Sequence, residues 1–164
     1  MSFELTFFND SSLIQRQAAN EILKQNAVSS QFGLELTEQQ ALALVETRSL
    51  ALKENGRIEF GGGVIDKLIY EFCDSPFISS VNYEQTLHDL IDIFYYYKNE
   101  TIDLISDDEL IKYMKKAYDG VCQGSLELLS GRELNRLARN LRFGELSDDS
   151  ENSIDEEDDA DDEY

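Results

Sequence analysis

Cysteine, histidine, proline and positive charge are all scarce in this 164-residue chain, and each shortage removes a class of function. Two cysteines far apart in sequence, Cys73 and Cys122, and a single histidine, His88, cannot furnish a tetrahedral zinc site at the usual ligand spacing. Both cysteines stand in apolar helical contexts, as small buried hydrophobes rather than activated thiolates. The one proline, Pro76, marks a turn after Ser75. Lys and Arg number 14 against 34 Asp and Glu, a formal net charge of −20. That balance disfavours nucleic acid as a partner of the whole surface, because phosphate backbones need net positive faces. No apolar run approaches the roughly 18 residues of a membrane span, and no signal pattern opens the chain. The chain therefore reads as cytoplasmic, with reduced thiols and no membrane association. A Gly-x-Ser-x-Gly elbow, a Walker A loop and an internal repeat are also missing. Lone His88 has no nucleophile beside it in sequence, so no catalytic residue, metal or cofactor is assigned.

What is present suits a globular fold. The apolar fraction is 41%, with nine Phe and eight Tyr, and the length allows one domain with a sizeable core. Charge is unevenly placed. Residues 145–164 carry 12 acidic and no basic side chains, leaving 22 acidic and 14 basic in residues 1–144. The reading is a helical domain over 1–144 followed by a disordered acidic tail over 145–164, too polar to bury a core of its own.

Within the domain, apolar residues recur at helical spacing between recognisable caps. Residues 3–7 alternate and predict a short extended lead-in. Ile14, Ala18, Ile22 and Leu23 predict one face of a helix running to about Val28. Thr37-Glu-Gln-Gln40 reads as a capping box opening a second helix, which is apolar nearly all round and stops at Gly56. Val64, Ile65, Leu68, Ile69 and Phe72 form a third stripe. Asn82 caps a helix bearing Leu87, Leu90, Ile91, Phe94 and Tyr97 inward. Ser106-Asp-Asp-Glu109 opens another helix, running to Gly120, and Ser130-Gly-Arg-Glu133 opens a last one, closed by Gly144. The fold class that follows is all-α, a single bundle-like domain of about six helices.

The joint between the second and third stripes, Asn55-Gly-Arg-Ile-Glu-Phe-Gly-Gly-Gly63, holds four of the nine glycines. Arg48 falls on the buried stripe of the preceding helix and needs a carboxylate or carbonyl partner. The bland expectation is a structural ion pair tying helix to loop. The sharper one is a small-ligand or anion site, or an enzyme, built from Arg48, Arg57, Glu59, Gly61, Gly62 and Gly63 at a helix N-terminus.

Three further constellations are weighed against plainer roles. Glu84, His88 and Asp92 stand at i, i+4 and i+8 on a helix face, better suited to a solvated surface than to a metal. With Tyr95 and Tyr96 beside them they form a candidate partner surface. Residues 119–130 miss the calcium-loop pattern at Val121, Gln123 and Ser130. In the last helix Arg132, Arg136 and Arg139 recur at i, i+4 and i+7, with Arg142 one turn round and Leu134, Leu137 and Leu141 opposite. That basic face is followed closely by the acidic tail, which can fold back over it, though a solvated face beside a solubilising tail is the plainer expectation.

The run from Val45-Glu-Thr-Arg48 through the glycine joint, Phe72-Cys-Asp-Ser-Pro76, Ser106-Asp-Asp-Glu-Leu110 and Gln123-Gly-Ser125 resembles a family of small proteins of Clostridia and related Firmicutes, a domain of unknown function. The resemblance covers roughly residues 10–143 and implies a bacterial cytoplasmic origin, with no activity or site residues attached. The leading expectation is a non-enzymatic interaction or regulatory module whose partner is another cytoplasmic protein.

Overall fold

The computed structural model describes residues 2–144. Six helices of nine residues or more carry the architecture: α1 (Ser2–Leu23), α3 (Glu38–Glu54), α4 (Gly63–Phe72), α5 (Tyr83–Glu100), α6 (Asp107–Asp119) and α8 (Leu134–Arg142). Two short turns of helix, α2 (Asn26–Ser29) and α7 (Leu126–Leu128), sit between them. The described residues contain no strand. The fold is the all-α bundle that the periodicity implies.

Helix α3 is central because it is sheathed on more than one face, packing against both α1 and α5. Its Thr37 capping box is formed in both directions: Thr37 Oγ1 accepts from the Gln40 amide and Gln40 Oε1 from the Thr37 amide. Two of the four donors that a helix start leaves unsatisfied are thereby met. The same device, with Ser106 and Glu109, opens α6. One continuous core runs from Ala18 and Ile22 of α1 through Leu44 of α3, Leu68 of α4, Leu90 and Phe94 of α5 and Met114 of α6 to Leu134 of α8. Phe72 and Tyr118 meet edge to face in it, ring centroids 5.6 Å apart.

Four local expectations are corrected. Residues 3–7 belong to α1 rather than to an extended lead-in, so the alternation there is overridden by helix propagation. Helix α1 breaks at Lys24–Gln25, ahead of Val28, and Ile14 faces solvent while Ala19 takes its place inside. Asn82 does not cap α5 with its side chain; its Oδ1 accepts from the Ser79 amide and so closes the preceding turn. The last helical stretch begins at Ser125, whose hydroxyl accepts from the Leu128 amide. It passes through a π-helical turn, Leu129–Glu133, into α8, so Ser130 is interior to the helix and not its cap.

The π turn has a visible cause. Tyr97 of α5 reaches it with a buried ring, and its hydroxyl lies within hydrogen-bonding reach of the Ser130 carbonyl and of Asn135 Oδ1 (2.8 Å). Widening the turn opens a carbonyl to this inserted donor. Gly124 serves close packing in the turn before it, with φ of +81° and the Phe77 ring so near that a Cβ would stand 2.6 Å from its Cγ.

Candidate functional site

The polar centre of the molecule is the glycine joint, and the structure shows what its unusual composition is for. Arg48, on the buried face of α3, is only 3% exposed. Its Nη1 donates to the Gly62 carbonyl at 3.1 Å and pairs with Glu59 Oε2 at 3.4 Å. Glu59 hangs from the strap of residues 57–60 that connects α3 to α4. Its Oε2 also accepts from the Val64 amide at 2.5 Å, at the start of α4. Its Oε1 accepts from the hydroxyl of Tyr95 on α5. One carboxylate thus ties three helices together, satisfying a helix start and a buried guanidinium at once.

Two more carboxylates converge on the same turn. Glu21 of α1 accepts from the Gly62 amide at 2.8 Å. Asp66, in the first turn of α4, lies against Gly62, where a Cβ would stand 1.9 Å from its Oδ2. Each glycine makes room for one acid: a Cβ on Gly61 would meet Glu21 Oε1 at 2.6 Å, and one on Gly63 would meet Glu59 Oε2 at 1.8 Å. Gly61 and Gly63 also adopt positive φ, +65° and +49°. The three glycines are spaces filled by the chain's own carboxylates.

This arrangement weighs against the anion-site expectation. The amides of Gly62 and Val64 already donate to Glu21 and Glu59, and the surrounding charge is negative. Arg57 is aimed elsewhere, its guanidinium bonding Asn99 Oδ1 at 2.8 Å and Asp103 at 3.0 Å at the end of α5. A cleft of about 260 Å³ does open at the joint, and Arg57, Glu59, Gly63 and Tyr95 are among the residues that line it, with Lys98 and Asp107. Its charged groups are taken: Lys98 pairs with Asp107 at 2.9 Å and donates to the Ile105 carbonyl.

The titration of the joint follows from this crowding. Burial and the charge of Glu21 push the Asp66 carboxyl up to about 6, outweighing Arg48 and Lys24. Burial, and the Glu59 carboxylate to which it donates, hold the Tyr95 phenol far above its ordinary range. Because the folded pKa of Asp66 lies above its unfolded value, the folded state binds the extra proton between pH 4 and 6. Its contribution is therefore fully present below about pH 4 and is lost as pH rises through about 6. Asp66→Asn is expected to flatten this slope and to raise stability at pH 7 by about 1 kcal/mol, after discounting for solvent screening of a partly exposed group. Urea unfolding of both proteins at pH 5 and pH 7 checks it, and a parent slope retained in the variant would assign the effect to another group.

The candidate partner surface on α5 divides. Tyr95 is 2% exposed and belongs to the joint, which corrects its placement on the surface, whereas Tyr96 is 55% exposed. The signal was in the spacing: Tyr95 follows Ile91 by four residues and Leu87 by eight, so it shares their face. His88 is half-buried and pinned at both nitrogens, Nδ1 to Thr47 Oγ1 at 2.6 Å and Nε2 to Glu84 at 3.1 Å. It is a cross-link between α3 and α5, and Asp92 makes no hydrogen bond to its ring. Among the described residues no group of His, Cys, Asp or Glu is arranged to hold a metal ion.

The arginines of the last helix also separate by role. Arg132 and Arg136 both pair with Glu133, at 2.8 Å and 3.4 Å, and the Glu133 side chain is buried. Arg142 pairs with Glu100 of α5 at 2.9 Å. Arg139 has no ion-pair partner among the described residues.

A helical bundle with a polar joint packed by its own carboxylates is the class these features define. The chain belongs to a family of unknown function, DUF6323, whose model matches residues 21–147. No curated protein and no solved structure matches it. No helix of the described residues is long and apolar enough to cross a membrane.

Proposed function

We propose that the protein is a non-enzymatic interaction module that acts on another cytoplasmic protein through the strap between α3 and α4. The observation that carries this reading is the division of labour along the strap. Arg57 and Glu59 turn inward and are consumed by hydrogen bonds, while Ile58 and Phe60 turn outward, 83% and 74% exposed. Two large apolar side chains on a segment held that firmly are a preorganised contact, since little ordering cost is left for binding.

The neighbouring α5–α6 loop supports it. Arg57 is bonded to Asp103, and Ile102 and Asp103 both hold positive φ, +47° and +59°, which is costly for a β-branched residue. Ile102 and Leu104 are exposed there. Backbone held in so sparse a region by its surroundings is typical of contact sites rather than of plain connections. The small-ligand or enzyme reading is weaker, because Glu21, Glu59, Arg48 and Tyr95 are bonded within the joint, although Asp66 Oδ1 and Arg48 Nε are buried there without a hydrogen bond.

The double variant Ile58→Ser with Phe60→Ser tests the reading. Its unfolding free energy is expected within about 0.5 kcal/mol of the parent, since both side chains face water. Its capture of a partner from extract of the cells that make it is expected to disappear. Segment 145–164 fused to the same tag is the control for binding by charge alone. Equal recovery by parent, variant and control contradicts the proposal.

A further inference from the structure

We infer that the groove along the outer face of the last helix is a binding site for an acidic peptide, and that its occupant is the chain's own segment 145–164. The groove, about 320 Å³, is lined by Gly131, Arg132, Asn135, Arg136, Arg139 and Asn140. Three guanidiniums line it, and among the described residues one carboxylate, Glu133, answers them, from a buried position beneath Arg132 and Arg136. Arg139 is left with none among the described residues. Arg132 and Arg136 keep about half or more of their side chains exposed, 49% and 60%, so each retains donors on its outer edge. A surplus of guanidinium donors framed by two asparagine amides suits carboxylates, which guanidinium forks bind in pairs.

Length and charge select the occupant. The segment that follows Gly144 carries 12 acidic and no basic side chains. Arg136 lies six residues before Arg142, about 9 Å along a helix axis, and a chain of five residues can span up to about 16 Å. Asp148 and Asp149 therefore come within reach of Arg139 and Arg136 by a simple reversal after Gly144, whose φ of +80° already turns the chain. Covalent attachment keeps those acids at high effective concentration, so a weak set of exposed pairs is sufficient. Arg142 takes no part, being held by the side chain and the carbonyl of Glu100. The same groove is then open to an acidic partner only when the segment leaves it.

The full chain carrying a nitroxide at Glu151→Cys tests this, because Cys73 and Cys122 are buried and escape the label. At about 10 mM salt, paramagnetic broadening is expected on the amides of residues 131–140, and at about 1 M salt, where screening shortens to roughly 3 Å, it is expected to vanish. Arg136→Glu with Arg139→Glu should abolish it at low salt. Broadening that survives this charge reversal, or is no stronger at 131–140 than on α6, overturns the inference. A second readout uses labelled polyglutamate: Asp148→Asn, Asp149→Asn and Glu151→Gln together should tighten its binding about five-fold, as expected for release of a clasp of exposed pairs. Equal binding by parent and neutralised chain, or binding of duplex DNA in preference to polyglutamate, overturns the acidic segment as occupant.

Discussion

Arg48→Met is expected to lower the free energy of unfolding by about 3 kcal/mol, the scale on which breaking one side of a buried ion pair destabilises a fold. The side chains of Arg48 and Glu59 are 4% and 19% exposed, so little water can replace what is lost. Methionine keeps much of the volume but offers nothing to the Gly62 carbonyl, which then keeps only the Asp66 amide at 3.2 Å, or to the Glu59 carboxylate. Glu59→Gln is expected to cost a similar amount by leaving the guanidinium uncompensated, with Arg48 Nε already lacking a partner. The two changes together should cost clearly less than their sum, with a coupling of at least about 1 kcal/mol. Urea unfolding of the four proteins measures the cycle, and additive losses would mean that the pair is incidental.

Gly63→Ala is expected to be as damaging, for a reason invisible to composition. Its φ of +49° strains any side chain, and its Cβ would stand 1.8 Å from Glu59 Oε2 and 3.0 Å from Arg48 Nη1. Glu59 cannot swing aside without leaving Tyr95 and the Val64 amide. The expected loss is about 3 kcal/mol, of which roughly 1 kcal/mol is the left-handed backbone alone. Gly33→Ala isolates that backbone share, because Gly33 has φ of +79° and nothing within 4 Å of its Cβ position. Thermal and urea unfolding of both variants should separate them widely. Equal losses would show that the carboxylate does not fill the space over Gly63.

The fold was legible because its signals are local. The capping boxes at Thr37 and Ser106 are written in four residues each, and the stripes of α4 and α5 in their spacing. Where tertiary contacts decide, the sequence said less. The π turn at Leu129–Glu133 depends on Tyr97 arriving from another helix, so Ser130-Gly-Arg-Glu133 looked like an ordinary start. Arg48 was readable as a buried cation in need of a partner. That Glu59 would also take Tyr95, and that Glu21 and Asp66 would converge on Gly62, requires α1, α4 and α5 to be brought together first. Three glycines before a helix suggest an anion site, since that is what free amides favour. The chain fills the place with its own acids, which no pattern within the glycine run announces.

The central claim is that the glycine joint is closed against an anion by those acids. Titrating the ¹⁵N-labelled full chain with inorganic phosphate tests it directly, followed at the amides of Gly62, Gly63 and Val64. Up to about 10 mM phosphate, where a site of millimolar affinity would be nearly filled, these resonances should not move beyond the drift of the rest of the spectrum. A saturable shift confined to the three would contradict the account and return the joint to an anion site.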